Sequence, residues 1–241
     1  MQSHGSILRL SGKRDSMYLD LLSEMNDNRP MRKRQKGRFF VIDGLGGLGK
    51  STQIEMLKKR LGKKAVFSHE PGGTPHAEKL RTFVRSVDAG GEPHPLMDFF
   101  VFWAARADHV NKKIIPALKK GKIVVCDRFD SSTFAMQVRG DKNTDLEKLF
   151  WQCREHVLKE HAPDAYIILD GNPVLARSRR HGRGDGEDRF DERAEAYQKR
   201  IRAGYLEFAK RLGTKAHVVK ALRTREDVHD DIWKIVSKIA R

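Results

Sequence analysis

The chain has 241 residues, 39% of them hydrophobic and 33% charged, which suits one soluble core and excludes a disordered chain by composition. No apolar run approaches the ~18–20 residues of a membrane span, and the first residues lack the long apolar stretch of a signal peptide. The two cysteines, Cys126 and Cys153, have no metal-ligand spacing, which argues against a disulfide framework or a zinc site. A cytoplasmic protein without membrane partners is the expectation. The net charge of +16 points to polyanions, either nucleic acid or small molecules rich in phosphate.

Residues 1–36 differ in character from the rest of the chain. They hold one short amphipathic stretch, Met17–Met25, and a basic cluster, Arg32–Lys36, and are expected to form a flexible extension that is the one candidate for nucleic-acid contact. Arg38–Asp43 is a short apolar run that predicts a buried parallel strand, and Ser51–Leu61 has helical spacing stopped by Gly62. A second strand is expected at Ala65–Ser68 and a helix at Glu78–Val87. Leu96–Leu118 predicts one or two helices with Pro116 at an end or kink, and Lys122–Asp127 a third strand. Asp145–His161 is expected to be helical, Asp164–Asp170 a strand, and Pro173–His181 and Glu192–Leu212 helices. His217–Val219 and Arg225–Ala240 predict a last strand and a closing helix. Strands alternating with helices predict an α/β fold with a central parallel sheet of about five strands, flanked by helices, over 37–241. Ligands of such sheets bind beyond the carboxyl ends of the strands.

Gly44-Leu45-Gly46-Gly47-Leu48-Gly49-Lys50-Ser51 fits the phosphate-loop pattern, between a predicted strand and a predicted helix. Glycines let successive backbone N–H groups turn toward phosphate oxygens, and the adjoining helix adds its N-terminal N–H groups and dipole. Lys50 is expected to reach the outer phosphates of ATP and Ser51 to ligate Mg²⁺, with Thr52 continuing the phosphate-binding turn.

Three further segments narrow the class: Glu70-Pro71-Gly72-Gly73-Thr74, Phe102-Trp103-Ala104-Ala105-Arg106, and Asp127-Arg128-Phe129 with Ser132 and Gln137 beyond it. With the phosphate loop, they resemble the thymidylate kinase family in order and spacing from about Arg38 to the C-terminus. The resemblance implies a three-layer P-loop fold, transfer of the γ-phosphate of ATP to dTMP in dTTP biosynthesis, and a homodimer. It implies Mg²⁺ held at Ser51 and Asp127, a phosphate clamp at Arg128, a base-stacking Phe102 and an acceptor-contacting Arg106. Glu70 and Gly73 are placed at the mouth of the acceptor site, with Ser132, Met136 and Gln137 around the base and sugar. The span 176–193 carries Arg177, Arg179, Arg180, Arg183, Arg189 and Arg193 among glycines, which suits a lid that closes over ATP. Because the phosphate loop has no arginine, the lid is expected to supply one, with Arg183 as the catalytic candidate and Arg179 and Arg189 on ATP.

Three positions depart from the family's pattern. His69 stands where an arginine is common, Gly46 where an acidic residue meets the acceptor's 3′-hydroxyl, and Met136 where an aromatic packs on the deoxyribose. These departures predict looser discrimination of the acceptor sugar, or a related nucleoside or nucleotide kinase with an altered acceptor. A weakly catalytic P-loop protein that binds nucleotides or nucleic acid is the remaining alternative, and the presence of Lys50, Ser51, Asp127 and Arg128 argues against it.

Overall fold

A computed structural model describes residues 37–85, 93–181 and 195–240. The expected extension 1–36 and the lid residues 182–193, with Arg183 and Arg189, lie outside the described residues. Five strands form one sheet: β1 (Arg38–Gly44), β2 (Ala65–His69), β3 (Ile123–Asp127), β4 (Ala165–Asp170) and β5 (Ala216–Lys220). The order is β2-β3-β1-β4-β5 and every pairing is parallel. The strands are the β-branched and aromatic runs that the sequence predicts, and β1 is covered so fully that Phe39, Phe40, Val41 and Ile42 have no exposed surface. Because the chain runs from β1 outward to β2 and returns to β3, β1 marks the switch point of the sheet. The site is expected in the crevice beyond its carboxyl end.

Nine α-helical stretches flank the sheet among the described residues: α1 (Lys50–Leu61), α2 (Pro75–Arg85), α3 (Pro95–His109), α4 (Ile115–Lys119), α5 (Asp130–Thr133), α6 (Leu146–Leu158), α7 (Pro173–His181), α8 (Glu195–Leu212) and α9 (Arg225–Ile239). α2 begins earlier than the apolar spacing predicts. Pro75 fits a first helical turn and the Thr74 hydroxyl accepts the Ala77 N–H, a side-chain cap. α3 and α4 are one rod joined by a wide π turn at Val110–Ile114, whose relaxed geometry accommodates Pro116 and its missing N–H. The expected lid span opens inside α7, so residues 176–181 are helical. No helix of the described residues is long and apolar enough to cross a membrane.

The helix α5, which runs into a second π-helical stretch at Phe134–Gly140, has no counterpart in the sequence prediction. Its residues Asp-Ser-Ser-Thr read as a polar turn, yet all four are buried. The Asp130 carboxylate explains this: it accepts from the Tyr166 hydroxyl at 2.8 Å and pairs with Arg154 at 2.7 Å, so its charge is matched inside the fold. Behind it, Phe134 packs on Phe150 and Phe208 with ring centroids 5.3 and 5.7 Å apart.

Candidate active site

The phosphate loop joins the buried end of β1 to α1. The Lys50 side chain folds back over it and donates from Nζ to the carbonyls of Gly44 and Leu45, at 2.9 and 2.8 Å. Leu45 and Leu48 are buried and anchor the loop from below. Gly47 is confined from two sides. Its φ is +80°, and a Cβ there would lie 1.9 Å from the Ala176 carbonyl oxygen, so the loop meets the backbone of α7 where no side chain fits.

Two cavities open at this end of the sheet. The first, about 730 Å³, is lined by Gly46, Gly47, Gly49, Lys50, Ser51 and Asp127. Parallel register puts Asp127, the last residue of β3, opposite Ile42 of β1 and His69 of β2, at the level where the loop begins. One oxygen of Asp127, Oδ1, is buried without a hydrogen-bond partner among the described residues. A hydroxyl at Ser51 and a carboxylate with an unmatched buried oxygen are the hard oxygen donors that Mg²⁺ takes, so these residues fit that ion.

Arg128 stands between the two cavities and lines both. Its φ is +63°, a conformation costly for a non-glycine residue. A network holds it there. Its N–H donates to the Ile42 carbonyl at 3.0 Å, and its Nη1 reaches the Asp43 carboxylate at 3.2 Å and the Tyr205 hydroxyl at 3.1 Å. Asp43 has no exposed surface and is the centre of this network. It accepts from the Gly44 N–H at 2.8 Å, Ser131 Oγ at 2.6 Å, Ser132 Oγ at 2.9 Å and the Tyr205 hydroxyl at 2.9 Å. Burial, and then the Asp43 charge, push the Tyr205 phenol well above its ordinary pKa, so it stays a neutral donor.

The second cavity, about 740 Å³ with its open mouth, is lined by Phe102, Arg106, Phe129, Ser132, Met136 and Gln137 among others. Arg106, one turn after Phe102 on α3, is 1% exposed. Its guanidinium lies 4.5 Å from the Trp103 ring centroid, donates from Nε to Glu70 at 2.8 Å and from Nη2 to the Thr133 hydroxyl at 3.1 Å. Its Nη1, and the Oε1 of Gln137, are buried with no hydrogen-bond partner among the described residues.

The expected residues therefore divide by what their atoms already hold. Phe102, Arg106, Met136 and Gln137 line the second cavity and Lys50, Ser51 and Asp127 the first. Glu70 lines both, but its two oxygens are bound by Arg106 and His109. Ser132 faces the second cavity while its hydroxyl bonds to Asp43. Gly73 packs on Ser68 and His109 instead of lining either cavity, and Thr52 lines a separate hollow behind the phosphate loop with Gly47, Gly49, Arg179, Arg223 and Arg225.

Sequence reasoning missed Arg81, Asp43 and Tyr205. Arg81 lines both cavities from α2 and donates to the Pro71 carbonyl at 2.9 Å. Its signal was only its place on the expected helix that follows the Glu70–Thr74 turn. His69, at the arginine position, pairs with Glu78 at 2.8 Å. Glu78 also accepts the Gly73 N–H, and these partners outweigh partial burial and hold its pKa below the ordinary value.

A parallel sheet whose central strand leads into a lysine-bearing phosphate loop, with a second, partly apolar cavity beside it sharing two arginines, defines a P-loop kinase of small phosphorylated substrates. Residues 42–232 match the family model for thymidylate kinase. A thymidylate kinase of Pelotomaculum thermopropionicum is 35% identical over 207 residues, covering 85% of this chain and 94% of the relative. One of Ruthia magnifica subsp. Calyptogena magnifica is 35% identical over 85% of this chain and 99% of its own length. The crystal structure of thymidylate kinase from Ehrlichia chaffeensis superposes with a TM-score of 0.67 at 26% identity, covering 83% of this chain and 98% of that one. The chain belongs to the thymidylate kinase family.

Proposed function

We propose that this chain transfers the γ-phosphate of ATP to the 5′-phosphate of dTMP, giving dTDP and ADP. The observation that carries this reading is the second cavity beside the phosphate loop, whose lining residues Arg106 and Gln137 each hold a buried polar atom with no partner among the described residues. Arg106 Nη1 can only donate, and Gln137 Oε1 can only accept. Thymine offers a carbonyl acceptor, O4, next to the N3–H donor, and so complements both, whereas cytosine presents an amino group and a bare ring nitrogen there. Phe102 supplies a ring for stacking on the base.

In this reading a 5′-phosphate oxygen of dTMP attacks Pγ, the Pγ–O–Pβ bond breaks, and the departing oxygen leaves with ADP. Catalysis is positioning and charge compensation. Lys50 and the loop N–H groups hold the β- and γ-phosphate oxygens, and Arg128 and Arg81, shared by the cavities, offset repulsion between the two polyanions. Mg²⁺ would be held by Ser51 and Asp127 and would neutralise charge developing on the phosphates. The hollow lined by Thr52, Arg179, Arg223 and Arg225 suits the nucleoside half of ATP. Arg183 and Arg189 remain the proposed lid contacts to ATP, and the kinase domain is proposed to span 37–241. The proposed setting is cytoplasmic, with nucleotides as the partners.

A coupled ADP-release assay with dTMP, dUMP, UMP and dCMP tests this. dTMP should be the best acceptor, with kcat/KM for dCMP at least ~100-fold lower, because a cytosine leaves both polar atoms unpaired. Equal rates with dCMP would overturn the base assignment. Gly46 lines the phosphate cavity and Met136, with its pliable side chain, lines the base cavity, which favours a relaxed sugar preference. UMP should therefore fall within about tenfold of dUMP, since one hydroxyl is weakly rejected by an unpatterned apolar wall.

The proposed assembly is a homodimer. Leu96, Met97 and Phe100 on α3, the helix that carries Phe102 and Arg106, are large apolar residues left 38, 46 and 48% exposed. Analytical ultracentrifugation should give a dimer that Phe100→Glu converts to monomer; a wild-type monomer at assay concentration removes this part of the reading.

A further inference from the structure

A buried polar chain runs behind the second cavity, in which His109 is the member with no part in the chemistry above. His109 has no exposed surface. Its Nδ1 lies 2.9 Å from Glu70 Oε1 and its Nε2 lies 2.7 Å from Ser68 Oγ. The other oxygen of Glu70, Oε2, accepts from Arg106 Nε at 2.8 Å. Both oxygens of a carboxylate ion-paired with Arg106 only accept, so Nδ1 carries the hydrogen and donates to Glu70 Oε1. The sequence Ser68–His109–Glu70 has the spacing of a nucleophile, base and acid. The turn over it seals it, however: a Cβ on Gly73, whose φ is +86°, would lie 2.5 Å from Ser68 Oγ and 2.6 Å from His109 Nε2. Ser68 is itself buried, so no substrate carbonyl reaches its oxygen. The chain is closed at that end, and at the other it ends on Arg106, which lines the base cavity and whose buried Nη1 has no partner among the described residues.

We propose that His109 is a positioning residue for acceptor recognition: braced by Ser68, it fixes the Glu70 carboxylate, and Glu70 in turn fixes the plane of the Arg106 guanidinium so that Nη1 stays presented to the base. A guanidinium gripped at Nε by a carboxylate and at Nη2 by Thr133 has one orientation. A carboxylate held by Arg106 alone has a rotamer to lose, and the donor would be spread over several positions in the unbound enzyme. The cost would fall mainly on binding of the acceptor, because Glu70, although it borders both cavities, is tied by hydrogen bonds to Arg106 and His109, while the donor phosphates are assigned to Lys50, Ser51 and the loop N–H groups. Catalytic contact remains with Arg106. The inference rests on dTMP being the acceptor.

The test is steady-state kinetics of the full-length enzyme with His109→Leu, Ser68→Ala, Arg106→Ala and the double variant His109→Leu/Arg106→Ala. Wild-type turnover of dTMP checks the functional reading first, so its failure is seen separately. With turnover established, His109→Leu should raise KM for dTMP about tenfold while KM for ATP stays within about twofold, the size expected from loosening one buried charged hydrogen bond. In the Arg106→Ala background the same substitution should change KM for dTMP by less than about twofold, because a residue acting through Arg106 has nothing left to act on. A merely structural role would raise both Michaelis constants, or would persist in the Arg106→Ala background; either result overturns the proposal. Should His109→Leu fail to fold, Ser68→Ala, which removes a single hydroxyl, carries the test. A rise of about threefold in KM for dTMP alone supports the relay, and an unchanged KM overturns it.

Discussion

Lys50→Ala should lower kcat by about 10³-fold while the protein stays folded, because a preorganised cation aimed at charge developing on the phosphates is worth that much in a water-poor site. The starting geometry explains why the loss is so specific. Lys50 is largely buried, and its ammonium is held by the carbonyls of Gly44 and Leu45, both within the loop it serves. The charge is thus stored in place before nucleotide arrives, and no long side chain has to be ordered during the reaction. Removing it sacrifices two hydrogen bonds, roughly 1–3 kcal/mol of stability, a small part of what a domain this size holds. The coupled ADP-release assay and a thermal melt check both halves. A kcat within tenfold of wild type would refute the assigned role.

Asp43→Ala should be the most destabilising single change in the site, costing about 3–5 kcal/mol, the range for stripping one partner from a buried charge pair. Asp43 receives hydrogen bonds from Gly44, Ser131, Ser132 and Tyr205 and pairs with Arg128, all around a carboxylate with no exposed surface. Alanine would leave these donors facing a cavity and would remove what holds Arg128 at its positive φ. At about 2–4 °C per kcal/mol for a domain of this size, the melting temperature should fall on the order of 10 °C. Activity should fall with it even below the melt, since Arg128 would no longer be set between the cavities. Asp43→Asn keeps the volume and some acceptors and should lie between. A variant that melts within about 2 °C of wild type would show that the network contributes little.

The strands and the phosphate loop were legible because each depends on neighbours in sequence. Arg38–Asp43 is apolar enough to be buried on both faces, and the glycines and Lys50 of the loop serve a ligand through backbone positions that spacing alone specifies. α5 was not legible, because the reason its four polar residues are helical and buried lies in Asp43, Arg154 and Tyr166, which no local pattern connects to them. The motif matches brought Glu70 and Ser132 to the site, but which of their oxygens were already engaged by Arg106, His109 and Asp43 depended on the folded chain. Arg81 escaped for the opposite reason: no motif marks it within the expected helix, and only the folded chain brings it to the lining of both cavities.

The Asp43 network also bears on the order in which the chain assembles. It joins Asp43 to Arg128 across 85 positions and to Tyr205 across 162. Contacts of such separation are entropically costly to close until the intervening chain is compact, so this knot should tie late, after β1, β3 and β4 have paired. The segment that binds phosphate is locally encoded near the start of the domain, yet its anchor is completed by a tyrosine near the end. A nascent or truncated chain lacking α8 would carry the whole glycine loop and the Ile42 and Asp43 holds on Arg128 but not the Tyr205 hydroxyl that completes them, so full competence for phosphoryl transfer would arrive with the last stage of folding.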